Sequence, residues 1–205
     1  MNAPRPHDLL WGMTPADLPE DSPEWARQVV ASGQPVVVRR ALCAAGLVAV
    51  GVRGQGRDQR LGVVMRLMDI QCQSGPEALR WQGEESPWPA LRALASATPV
   101  LDATGQGWGP TGGVGYYLAT GQQVLHLDSD LDLVLRTPRF VARSMARDLL
   151  DILDRGPCRI DVQLETPAGA IALREWASGA SRVLLKSAHG ARLLADPWRA
   201  CEDAA

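Results

Sequence analysis

Three β-branched runs set the pattern of the first half of the chain: Pro35 to Arg39, Leu47 to Arg53 and Leu61 to Leu67. Short valine-rich runs bounded by glycine-rich turns predict strands. Ahead of them, Pro23 to Ser32 predicts a short helix, with Ser22 as N-cap, Pro23 at its first position and Gly33 closing it. From Gln71 to Pro89 the chain turns polar, with Gly75-Pro76, Gly83 and Pro87 to Pro89, which predicts a boundary between two units. We place them at residues 1–80 and 81–205.

In the second half, Ala90 to Ala97 reads as helical, and the glycines from Gly105 to Gly115 lead into a short helix, Val114 to Thr120. Val124 to Leu127 and Leu131 to Leu135 carry strand signals. Thr137-Pro138 predicts the start of a helix ending at Gly156-Pro157, with Val141, Met145, Leu149 and Ile152 on one stripe. Arg159 to Glu165 reads as a strand, Thr166 to Gly169 as a turn and Ala170 to Leu173 as its hairpin partner. Ser181 to Lys186 and Ala191 to Ala195 complete the strands. The fold class is α/β with mixed (α+β) sheets: a small N-terminal β-rich domain, then a larger one built on a strand–helix–strand unit.

Composition narrows the class. Hydrophobic residues at 46 % and charged residues at 21 % exclude a disordered chain. No apolar run reaches the roughly 18 residues of a membrane span. Pro4, Pro6, His7 and Asp8 stand where a secretory signal needs its apolar stretch, so we expect a cytoplasmic protein. Cys43, Cys72, Cys158 and Cys201 are scattered and read as reduced thiols, and residues 201–205 as a disordered tail. A net charge of −2 gives no nucleic-acid footprint. Between Arg39 and Arg66, however, six arginines face one acid, Asp58, a local excess that suits phosphates. Arg53, Arg57 and Arg60 surround Gly51, Gly54 and Gly56 there, as either a phosphate-binding turn or a solvated hairpin.

The candidate chemistry lies in Leu127-Asp-Ser-Asp-Leu-Asp-Leu133. On a strand, Asp130 and Asp132 share one face while Leu131, Leu133 and Leu135 take the other. Paired carboxylates repel unless a cation sits between them, and a hard divalent ion such as Mg²⁺ suits oxygen ligands and phosphates. An EF-hand is excluded, because Leu133 and Arg139 stand where that loop needs Gly and Glu. If Arg159 to Leu164 neighbours this strand, Asp161 joins the pair. Three carboxylates around one or two metals suit in-line displacement at phosphorus.

Gly107-Trp-Gly-Pro-Thr-Gly112 matches GxGxxG, but no hydrophobic strand leads into it and Pro110 interrupts the turn, so we set aside a dinucleotide fold. Thr111-Gly112-Gly113 opening a helix lets backbone N–H groups approach a triphosphate. A glycine turn and helix, a strand bearing Asp-x-Asp and a third Asp nearby resemble the nucleotidyltransferase superfamily related to DNA polymerase beta. Gly113 and Asp130 are 17 residues apart, a longer connection than that superfamily's usual one.

A closer resemblance spans nearly the whole chain. Its segments are Arg5-Pro-His7-Asp8-Leu-Leu-Trp11, Pro35-Val-Val-Val-Arg39-Arg40-Ala41 and Gly51-Val-Arg53-Gly54 with Arg57 and Arg60. Gly109-Pro-Thr-Gly-Gly-Val-Gly115, Ser129-Asp-Leu-Asp-Leu133, Asp161-Val-Gln-Leu-Glu-Thr-Pro-Ala-Gly169 and Leu184-Leu-Lys186 follow. In this order they resemble the phosphoribosyl-dephospho-CoA transferases of malonate decarboxylase.

The resemblance implies transfer of a phosphoribosyl-dephospho-CoA group from 2′-(5″-triphosphoribosyl)-3′-dephospho-CoA to a serine of the malonate decarboxylase acyl-carrier subunit, with release of pyrophosphate. It implies a nucleotidyltransferase-like C-terminal domain, with Asp130, Asp132 and Asp161 as catalytic residues and as ligands of Mg²⁺ or Mn²⁺. Asp161 would share a second cation or itself accept the serine proton. Family members often carry Gly-Ser where this chain has Gly112-Gly113. Thr111, Gly112, Gly113 and Ser129 would hold the phosphates, Lys186 the departing pyrophosphate, and Arg53, Arg57 and Arg60 the CoA-like half. Arg139, Arg143 and Arg147 recur every four residues opposite the apolar stripe, as a docking face for an acidic carrier or an ordinary solvated face. The alternatives are another acceptor, such as the citrate lyase carrier or a small molecule, and a non-catalytic binding module of the same fold.

Overall fold

The computed structural model describes residues 3–56, 58–83 and 85–199. Arg57 and the 201–205 tail lie outside the described residues, Cys201 among them; Cys43, Cys72 and Cys158 are free thiols.

The N-terminal strands are β1 (Leu9–Trp11), β2 (Val36–Val38), β3 (Leu47–Arg53), β4 (Arg60–Arg66) and β5 (Cys72–Ser74), with helix α1 (Glu24–Ala31) between the first two. They form one sheet in the order β4-β3-β2-β1-β5, antiparallel throughout. Ala26 and Val30 of α1 pack on Val36, Val50 and Val52. The expected helix cap shifts by one residue: Pro23, at φ −57 and ψ 145, is the N-cap, and the buried Ser22 hydroxyl has no partner. β1 and β5 were not expected, because three-residue strands carry too few apolar positions to stand out.

The remaining elements are α2 (Pro89–Asp102), β6 (Trp108–Pro110), α3 (Gly112–Thr120), β7 (Leu131–Arg136), α4 (Arg143–Leu153), β8 (Ile160–Thr166), β9 (Gly169–Ala172), α5 (Leu173–Ala177), β10 (Val183–Ser187) and β11 (Gly190–Leu194). The six strands order as β11-β10-β9-β8-β7-β6, and only β7 and β8 run parallel, joined through α4. Leu131, Leu133 and Leu164 are fully buried on the face that α2, α4 and α5 cover. Each contributes about 2 kcal/mol of burial, which fixes the register and turns Asp132 and Asp161 to the other face. The GxGxxG run contains β6, which is antiparallel to β7, unlike the parallel βαβ start of a dinucleotide fold.

Three expectations fail locally. Val124 to Leu127 is not a strand; residues 121–130 form the long connection that the wide glycine-to-aspartate spacing required. The helix expected from Pro138 begins at Arg143. Indole N–H groups of Trp198 and Trp176 bond the carbonyls of Thr137 and Val141 at 2.8 and 2.9 Å, and Phe140 packs edge-on against both rings, so this stretch stays extended. The buried stripe is then Ala146, Leu149 and Leu153, while Met145 and Ile152 are exposed.

The two sheets meet along Leu9, Leu79, Tyr116 and Val124. Beside that seam a charge chain ties the halves together. Arg40 donates two 2.6 Å bonds to Glu165, Arg136 stands 3.6 Å from Glu165 and bonds Glu77 at 2.9 Å, and Arg5 also bonds Glu77.

Candidate active site

β7 and β8 place Asp132 directly beside Asp161 in parallel register. Asp130 stands one residue ahead of β7, presented by a turn that Ser129 closes: its backbone N–H bonds the His126 carbonyl at 3.1 Å, and its Oγ accepts from His126 N at 2.9 Å. The Asp130, Asp132 and Asp161 carboxylates offer oxygens that all lie within 4.8 Å of one another. Their repulsion is legible in Asp132, whose carboxyl is pushed up to about 6 by burial and then by Asp130 and Asp161; Arg53 and Arg159 oppose the shift. Arg159 bonds Asp161 Oδ1 through Nε and Nη2 at 3.1 and 3.0 Å, an exposed pair.

Thr111 N bonds the Asp132 carbonyl at 2.9 Å, pinning the start of α3 against β7. Gly112 has φ +55, and a Cβ there would collide with Asp132 Oδ2, so only glycine leaves the aspartate its place. The N-terminus of α3 therefore opens against the carboxylates with free N–H groups.

A cleft of about 490 Å³ extends from this point between the two sheets. Thr111, Gly112 and Asp132 line one side, and Arg39, Arg53 and Arg60 the other. The Arg53 guanidinium lies 5.6 Å from the Tyr116 ring centroid, its Nε is buried without a partner, and its pKa falls to about 10, first through burial and then through Arg60. It stays charged at neutral pH. Gly113 borders it, since a Cβ there would stand 3.3 Å from Arg53 Nη2. Arg60 bonds the carbonyls of Gly56 and Gln59 and has its pKa lowered mainly by burial.

Two groups of expected residues are not brought together. Lys186 pairs with Ala170, which pairs with Glu165, four residues along β8 from Asp161 and two strands away. That places it in a different row of the sheet from the carboxylates. The arginine stripe is also broken. Arg139 precedes α4, and Arg143 stacks 3.9 Å from the Trp176 ring and bonds its carbonyl, leaving Arg147 exposed on the helix. The aromatic packing that delays the helix takes Arg143 inward.

Sequence reasoning gave His7 and Tyr116 no site role and counted Arg39 only in the arginine patch; all three line the cleft with Gln163. His7 is the one non-glycine residue with positive φ, 76, among the described residues. Its pKa is lowered chiefly by burial, with Arg40 and Arg136 adding to this, while Glu165 and a hydrogen bond with Gln163 oppose. The alternation of Asp161, Gln163 and Glu165 on β8 signalled Gln163; a lone histidine near the N-terminus gave no signal of its own.

The chain is similar to known proteins over its full length. Residues 78–197 match the family model "Phosphoribosyl-dephospho-CoA transferase MdcG C-terminal domain" and residues 5–76 its N-terminal counterpart. A Pseudomonas putida protein named phosphoribosyl-dephospho-CoA transferase is 72 % identical, with 100 % of both chains covered. Proteins of that name from Azotobacter vinelandii and Pseudomonas aeruginosa are 55 % and 52 % identical, covering 96 % and 97 % of this chain and 95 % and 96 % of theirs. No solved structure matches.

Proposed function

The chain belongs to the phosphoribosyl-dephospho-CoA transferase family, and from that premise we propose that it loads the phosphoribosyl-dephospho-CoA group onto a serine of the malonate decarboxylase acyl-carrier subunit, in the cytoplasm. The donor is 2′-(5″-triphosphoribosyl)-3′-dephospho-CoA, and the chemistry is of the nucleotidyltransferase type. One observation carries the reading: three carboxylates cluster around Asp132, and Asp132 lines one cleft with the start of α3 and Arg53.

Asp130, Asp132 and Asp161 would hold Mg²⁺ or Mn²⁺, which would draw off the negative charge that builds on the phosphates. The donor set fits, because all three ligands are oxygens and the cluster is overcharged without a cation. Backbone N–H groups of Gly112 and Gly113 hold the departing phosphates at the positive end of α3. Arg53 and Arg60 balance the charge of the CoA-like half, and Arg57 extends that patch in sequence. Asp161, the most solvent-open part of the inner pair, takes the serine hydroxyl proton. The serine oxygen bonds to phosphorus as the bond to pyrophosphate breaks, leaving a phosphodiester.

The test is the intact mass of the apo-carrier after incubation with the protein, donor and Mg²⁺. A gain equal to the phosphoribosyl-dephospho-CoA adduct, with pyrophosphate released one for one, supports the proposal. A gain on the citrate lyase carrier alone moves the acceptor. Donor binding with no adduct on any carrier contradicts transfer.

A further inference from the structure

The cleft face of the N-terminal sheet holds a feature that phosphate binding does not use. Gly51 and Gly62 stand opposite each other across β3 and β4, so the sheet is bare at that point. Arg39, one residue beyond β2, lies in the notch. Its stem passes Gly51, where a Cβ would stand 3.5 Å from Arg39 Cδ. Its head covers Gly62, where a Cβ would collide with Nη1 and lie 3.0 Å from Cζ.

A guanidinium laid against backbone leaves its other face to the cleft, and Arg39 is exposed there. The adjacent Arg40 is consumed by Glu165, whereas no carboxylate among the described residues pairs with Arg39. Leu9, Val37, Leu79 and Pro110 make the neighbouring cleft wall apolar. A planar cation bordered by apolar side chains suits the face of an aromatic base, because the guanidinium stacks on π-systems and is weakly hydrated. The 490 Å³ cleft has the size of a nucleotide pocket.

We propose that Arg39, seated on the Gly51–Gly62 pair, is the stacking platform for a purine base, and so the base-recognition subsite of the cleft. This rests on reading the cleft as the donor site. Glycine is required at position 62, because any side chain there evicts the guanidinium, whereas at Gly51 the Arg39 stem lies at ordinary contact distance. The platform belongs to the N-terminal sheet, so base recognition and phosphate chemistry come from different halves of the chain.

Calorimetric titration with 3′-dephospho-CoA, and separately with inorganic tripolyphosphate, tests it. The expected result is that Arg39→Ala and Arg39→Lys each weaken dephospho-CoA binding about tenfold, with tripolyphosphate binding unchanged. Gly62→Val should do the same by displacing Arg39. Wild-type affinity in Arg39→Lys would mean a charge contact with phosphate and overturn stacking, as would unchanged affinity in Arg39→Ala. Wild-type protein that binds tripolyphosphate but not dephospho-CoA would overturn the platform and leave the carboxylate site standing. Binding of neither probe would overturn the reading of the cleft itself.

Discussion

Asp132 carries opposed demands. Its carboxyl titrates at about 6 in the folded chain against 3.8 for an ordinary aspartate, so the native state holds a proton that the unfolded state releases. This stabilisation is fully present below about 3.8 and is lost progressively as pH rises from there through about 6. The cation-free protein should therefore melt at lower temperature near neutral pH than in mild acid. Asp132→Asn should remove that slope and raise stability at neutral pH by about 2 kcal/mol, with transfer abolished. Thermal unfolding across pH checks both. A variant less stable than the wild type at neutral pH would show that burial and the neighbouring carboxylates do not make the ionised Asp132 costly. Added Mg²⁺ should raise the melting temperature of the wild type and leave that of the variant nearly unmoved.

At the scale of elements, the β7–α4–β8 unit and the start of α3 build the site, and Gly112 is where they touch. Gly112→Ala sets a Cβ on Asp132 Oδ2 in a left-handed backbone conformation. It should cost about 1–2 kcal/mol of stability and at least about 100-fold in transfer rate, since a 1 Å misplacement of the reacting groups costs that much. Rate and melting temperature measured together separate the two; an unchanged rate would remove α3 from the chemistry. This unit was legible in the sequence because strict alternation of leucine and aspartate carries face and register at once. The α4 start was not legible, since Trp176 and Trp198, distant in sequence, hold residues 137–141 out of the helix. Arg39 was counted as charge but not as a contact. Its seat lies over Gly62 and beside Gly51, a pairing that exists only once β3 and β4 are in register. Lys186 misled for the same reason: a lone lysine on a strand says nothing about which row of the sheet it occupies.

For the whole molecule, the cleft exists only while the two sheets keep their distance, and the charge chain through Glu165 fixes it. Both Glu165 and Arg40 are 16 % exposed, so Glu165→Gln leaves Arg40 and Arg136 facing each other's charge with little water. It should cost about 2–3 kcal/mol in chemical denaturation and raise the donor KM more than it lowers kcat. The carboxylates would stay in place, whereas the arginine side of the cleft would drift. A kcat loss with unchanged KM would mean that the chain shapes the reacting groups and not the gap. Transfer requires the three carboxylates to act as one catalytic set. Single-turnover transfer to the apo-carrier, read by intact mass for the wild type and for Asp130→Asn, Asp132→Asn and Asp161→Asn, measures that. The expected result is a full adduct with the wild type and at least about 1,000-fold slower transfer in every variant, each still folded. Transfer near the wild-type rate in any one of them would contradict it.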